Sequence, residues 1–136
     1  MMGSLSGIVS RLLAVVVLAA IPMHGSALTL SERAALQAEM QRHITQQLVD
    51  GVYLFLDTRK NEVRSLHPVT AHTMILQMGD HYVLCYDFKD DSGKDVLVDY
   101  YVARRDGSYV VFHTAIANRA LLYRLMETGV VTAVKG

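Results

Sequence analysis

From Val52 to Thr114 the chain alternates apolar segments with short polar turns, and this alternation constrains its fold more than any other feature. Val52–Thr58 and Glu62–His67 flank Arg59-Lys60-Asn61, while His72–Met78 and His81–Phe88 flank Gly79-Asp80. Asp95–Ala103 and Tyr109–His113 flank a turn containing Asp106-Gly107, the strongest hairpin signal in the chain. A longer polar turn, Lys89-Asp90-Asp91-Ser92-Gly93-Lys94, joins the second and third hairpins. Parallel strands need crossovers of about a dozen residues or more, and these links are shorter. The expectation is an antiparallel meander of five to six strands.

A helix is expected on either side of the meander. Thr29-Leu30-Ser31-Glu32 reads as a capping box, with Thr at the N-cap and Glu three residues on. Leu36, Met40, Ile44 and Leu48 then recur every fourth residue as one apolar stripe, and Asp50-Gly51 is expected to end the helix. After the strands, Ile116, Ala120, Leu121, Leu122, Leu125 and Met126 form a second stripe. Thr114 or Asn118 is placed to cap it and Gly129 to close it. The class is α+β: N-terminal helix, antiparallel sheet, C-terminal helix. This order resembles the small curved-sheet folds of the cystatin-like and nuclear-transport-factor-like (NTF2-like) groups. The resemblance is one of topology, carried by no motif, and implies no activity, because such folds host binding, scaffolding and enzymatic members alike.

The first 27 residues read as an address and not as part of that fold. Arg11 precedes an unbroken apolar run, Leu12 to Ile21, followed by Pro22-Met23-His24-Gly25-Ser26-Ala27. A basic residue, a short apolar stretch and small residues before a cut are the plan of a secretory signal peptide. The run of ten residues is half the length of about twenty that a membrane-spanning helix needs. Gly25 and Ala27 fill the small-residue positions, so cleavage is expected before Leu28, leaving residues 28–136 as a single exported domain, periplasmic or secreted, with no membrane attachment. An uncleaved N-terminal anchor is the alternative.

The formal net charge is zero, which leaves no electrostatic footprint for nucleic acid or an anionic membrane. Cys85 is the single cysteine, so no intrachain disulfide staples the domain. Lacking a basic neighbour in sequence, it reads as a small buried hydrophobe, with a redox thiol as the alternative.

Strand alternation distributes the side chains. With the simplest register across the polar turn, Met74, Leu76, Val83, Cys85, Val96, Val98, Val102 and Val111 share an aliphatic face. Ile75, Tyr82, Leu84, Tyr86, Leu97, Asp99, Tyr101 and Phe112 then share the other. Tyr82, Tyr86, Tyr101 and Phe112 around Asp99 are therefore the candidate ligand or interface residues, suited to a small amphipathic molecule, a protein partner or a second copy of the chain. The competing reading makes them core.

His67, His72 and His81 lie close in sequence and could bind zinc or copper with Asp87, although their spacing fits no structural zinc pattern. A two-residue turn at Gly79-Asp80 sets His72 opposite Asp87, where a carboxylate would orient the imidazole. No nucleophile elbow, zinc-protease helix motif or phosphate-binding glycine loop accompanies the pair. The leading expectation is a small exported binding or interaction domain that is non-catalytic and needs no cofactor. A metal-binding protein or metal-dependent enzyme is the alternative.

Overall fold

The computed structural model describes Gly3 and residues 27–134. The expected signal segment therefore lies outside the described residues, apart from Gly3 and Ala27. Among the described residues no helix is long and apolar enough to cross a membrane.

The chain runs α1 (Leu30–Gln47), β1 (Leu48–Val49), β2 (Val52–Asp57), β3 (Glu62–Met78), β4 (His81–Asp90), β5 (Asp95–Arg105), β6 (Ser108–Ile116), α2 (Arg119–Glu127) and β7 (Thr132–Ala133). Strands β1 to β6 pair in sequence order, every pair antiparallel, and β7 adds to β3. The architecture is the expected α+β arrangement of helix, six-stranded antiparallel meander and helix.

The capping box forms at the start of α1. Thr29 Oγ1 accepts from Glu32 N at 3.1 Å, and Glu32 Oε2 accepts from Thr29 N at 2.8 Å. These bonds satisfy two amides that the first helical turn would otherwise leave unpaired. Leu36, Met40 and Ile44 follow as a fully buried stripe. Asp50-Gly51 does not end the helix, however. Leu48 is its C-cap, and Asp50 and Gly51 form a two-residue hairpin turn between paired Val49 and Val52. Both residues have positive φ, 50° and 79°, as a type I′ turn requires. Asp106-Gly107 does the same between β5 and β6, with φ of 46° and 78°.

Two expected strands, Glu62–His67 and His72–Met78, are one 17-residue strand, β3. In the fold its pairing is interrupted by register shifts between Pro68 and Thr70 and between Ala71 and Ile75, which take up the proline and the surplus residues as bulges.

The two faces of the sheet also differ from expectation. Lys89 pairs with Asp95 across a five-residue turn, Asp90–Lys94, so Tyr82 lies opposite Val102 and Cys85 opposite Asp99. Even-numbered residues of β4 and β5 consequently share one face and odd-numbered residues the other. A shift of one residue in register exchanges every side chain between faces. Under α1 lie Leu66, Ile75, Tyr82, Leu84, Tyr86, Phe88, Val98, Tyr100 and Val102. Under α2, whose Leu122 is the buried anchor, lie Leu76, Val83, Cys85, Tyr101, Ala115 and Val131. Each of the two expected face sets is thus divided between the helices, and Met74 is left exposed beside the bulge.

Burial at the centre of the α1 face should dominate stability. Leu84→Ala is expected to cost about 2–5 kcal/mol, whereas Leu56→Ala, at a position 64% exposed, should stay within about 0.5 kcal/mol. Urea unfolding with an unchanged slope measures both; equal costs would place the core elsewhere.

Candidate functional site

The most polar part of the interior lies beneath the start of α2. Asp99, on β5, is 1% exposed, and its Oδ1 stands 3.4 Å from Nη2 of Arg119, the first residue of α2. Cys85 faces Asp99 from β4, and Arg119 Nη1 lies 3.8 Å from its sulfur. Asp99 Oδ1, Arg119 Nε and the Tyr101 hydroxyl are buried without a hydrogen-bond partner among the described residues. The ion pair therefore sits at contact distance without full hydrogen-bond geometry. It still opposes the cost of enclosing a carboxylate, because an unpaired buried charge would be far more expensive.

The titration of these groups reflects their enclosure. Burial first, and then the facing Asp99 carboxylate, push the Cys85 thiol up to about 12, against a smaller opposing effect from Arg119. At neutral pH the sulfur is a thiol and a poor nucleophile. Burial also raises the Asp99 carboxyl, partly offset by Cys85, Arg119 and the more distant His72.

The candidate residues fall into separate places. Tyr82 and Tyr86 are buried under α1: the Tyr82 hydroxyl accepts from Arg104 Nη2 at 2.9 Å, and the Tyr86 ring packs on Phe88 at 5.0 Å. Asp99 and Tyr101 lie on the opposite face, under α2. Phe112 is the bulged residue of β6, because Val102 pairs with Val111 and Tyr101 with His113. It is 51% exposed and makes edge contacts with the Tyr101 ring at 6.4 Å and the His81 ring at 5.4 Å. Tyr101 and Phe112 are thus neighbours, whereas Tyr82 and Tyr86 are separated from them by the thickness of the sheet.

The histidines do not converge. His72 Nε2 meets Asp87 Oδ1 at 2.7 Å, although β-strand pairing sets Thr70 opposite Asp87 and the imidazole reaches it from the bulge. His67 pairs instead with Asp91 at 2.8 Å, and His81 packs on Phe112. Among the described residues no three His, Cys, Asp or Glu side chains form a set that could hold a metal ion.

A cleft that strand patterning did not reveal lies at the rim of the sheet. The β2–β3 hairpin and the end of β6 belong to strands far apart in sheet order, yet both line one hollow of about 340 Å³. The sheet therefore curls across α1, which touches both β2 and β6. Phe55 and Ile116, both packed against the α1 core, supply apolar lining, and Asp57, Arg59, Lys60 and Arg64 supply charge. Asp57 Oδ1 accepts from the amides of Arg59 and Lys60 at 3.0 and 3.2 Å, and Oδ2 accepts from Arg64 Nη1 at 3.3 Å. Although desolvation opposes them, these bonds hold the Asp57 carboxyl below its ordinary range. Arg64 also reaches Asp90 Oδ2 at 3.5 Å and lies over the Phe55 ring at 5.5 Å. The sequence signal for this site is slight: three cations within six residues of a chain with no net charge.

The chain matches no family model, and no curated protein or solved structure is significantly similar to it. The likeness to the cystatin-like and NTF2-like groups stays one of element order.

Two measurements test the buried cluster. Cys85 should resist a thiol reagent at neutral pH in the native protein and react on denaturation; rapid native labelling would contradict its enclosure. Asp99→Asn tests the carboxyl. Its folded pKa lies above the ordinary 3.8, so the stability it contributes is full below that value and is lost as pH rises through the folded pKa. Relative to the unaltered chain, Asp99→Asn should therefore gain stability as pH rises from below the ordinary carboxylate range. A constant or falling difference in urea midpoints would show that the Arg119 pairing outweighs burial.

Proposed function

We propose that the chain is a small exported binding domain without catalysis, and that its ligand seat is the cleft between the β2–β3 hairpin and the end of β6. The observation that carries this reading is the cleft itself, about 340 Å³ in volume, with Phe55 and Ile116 on one part of its wall and charged groups on another. A volume near the lower end of the range for small-molecule pockets, with apolar walls and a few convergent polar groups, suits a compact amphipathic ligand.

The state of the reactive side chains supports binding over chemistry. Burial keeps the Cys85 thiol protonated at neutral pH. Asp99 is committed to Arg119, and the His72–Asp87 pair stands on the other side of the sheet from the α1 core that the cleft adjoins. A nucleophile needs a base and an open site within hydrogen-bond reach, and the cleft brings neither His72 nor Cys85 to its wall.

Three eight-carbon probes that differ only in head group test the seat: octanol, octanoate and octylammonium. At least one should give saturable amide shifts concentrated at Phe55, Thr114, Ile116 and Ala117 in nitrogen–proton correlation spectra. Shifts scattered over both helices, or none with any probe, would remove the cleft as the seat.

A further inference from the structure

The charge distribution of the cleft says more than its shape. On the reading that the cleft is the ligand seat, we infer that its ligand is an amphipathic oxyanion. Arg59, Lys60 and Arg64 hold the head group, and a short apolar tail lies against Phe55 and Ile116. The lining holds three cations and one carboxylate, Asp57. That carboxylate is already engaged on both oxygens by the turn amides and by Arg64. It cannot neutralise Arg59 or Lys60, and neither has an ion-pair partner among the described residues.

Arg64 is positioned before any ligand arrives. One Nη atom is bonded to Asp57 and the other to Asp90, with the guanidinium plane steadied over Phe55. A guanidinium carries five N–H donors, so two bonds leave donors free for an oxyanion. Within the lining itself three cations stand against one carboxylate, whereas Asp90, Glu62 and Asp91 border a neighbouring hollow that shares Arg64. A cationic ligand would meet Arg59 and Lys60 unscreened. An uncharged one would leave their field unused. A carboxylate, sulfate or phosphate group is the complementary chemistry.

The two turn cations are separable from the fold. Arg59 and Lys60 are exposed, and their backbone amides supply the bonds that close the turn onto Asp57. Arg59→Glu with Lys60→Glu should therefore fold normally, which unchanged amide shifts outside the turn would verify. In the unaltered protein octanoate should bind about three- to tenfold tighter than octanol, with octylammonium weakest, and added salt should weaken octanoate alone. The double charge reversal should invert the order of octanoate and octylammonium.

Equal affinities for octanoate and octanol, or an order untouched by the reversal, would overturn the anion while leaving the seat intact. Failure of all three probes would remove the seat as well. Sedimentation with phosphatidylglycerol vesicles, without saturable octanoate binding, would move the oxyanion to a membrane surface and overturn a free small ligand.

Discussion

The turn between β4 and β5 decides what each helix covers. Five residues, Asp90–Lys94, separate paired Lys89 and Asp95. The Asp90 side chain holds that length: its Oδ1 accepts from Ser92 N at 2.9 Å, Ser92 Oγ at 2.6 Å and Lys94 N at 2.9 Å. The backbone adds Gly93 N to Asp90 O and Asp90 N to Lys94 O, each at 2.9 Å. One residue more or fewer would send Tyr82, Leu84 and Tyr86 to the side that now holds Val83 and Cys85. These bonds also hold the Asp90 carboxyl low, Ser92 having the largest effect, so the clasp is charged at neutral pH. Through its other oxygen Asp90 reaches Arg64, and the same side chain that sets the register also steadies the wall of the cleft.

The two faces that this register creates are physically unlike. Beneath α1 the packing is aromatic and aliphatic, with Phe88 between Tyr53 at 5.5 Å and Tyr86 at 5.0 Å. Arg104 closes its edge, donating to both Glu32 at 3.0 Å and the Tyr82 hydroxyl at 2.9 Å while lying near the Tyr82 and Tyr109 rings. Beneath the nine-residue α2, Leu122 is the one fully enclosed helix residue, and the first helical residue spends its charge on Asp99. A short helix with one deep anchor depends more on such a polar tether than α1, with its three buried anchors, does. The Asn118 side chain forms no cap bond, so that end is tied to β5 by Ala117 N donating to Leu97 O at 3.0 Å and by the Arg119–Asp99 contact.

Local chemistry was legible where the deciding contacts are near in sequence. The Thr29–Glu32 capping box, the Leu36–Met40–Ile44 stripe and the Asp106-Gly107 turn each involve residues at most a few positions apart, and residue type states their geometry. The same local reading misassigned Asp50-Gly51, because a glycine after a helix and a glycine in a type I′ turn look alike until Val49 is seen paired with Val52. Glu62–His67 and His72–Met78 were separated in a similar way, since only tertiary pairing shows one strand continuing between them. The facing of β4 on β5 rested on the length of one turn, and a bulge at Phe112 moved His113 opposite Tyr101. The aromatic set around Asp99 was therefore assembled from both sides of the sheet. The cleft was harder still to see, because Phe55 and Ile116 meet only when the sheet curls.

That curl has a visible cause. Antiparallel sheets twist on their own, but extra residues on one strand of a pair add local bend, and this sheet has three such places, two in β3 and one in β6. Bending both flanks of the meander toward α1 encloses Leu36, Met40 and Ile44 without requiring a closed barrel. It also leaves a gap where the outer strands approach and stop short of pairing. Such a gap exposes backbone and apolar edge that a closed barrel would hide. Here it is bordered by the turn that carries Arg59 and Lys60, whose charges discourage strand addition by another chain. The same charges, set beside Phe55 and Ile116, are what the proposed anion with an apolar tail would meet in an unclosed seam.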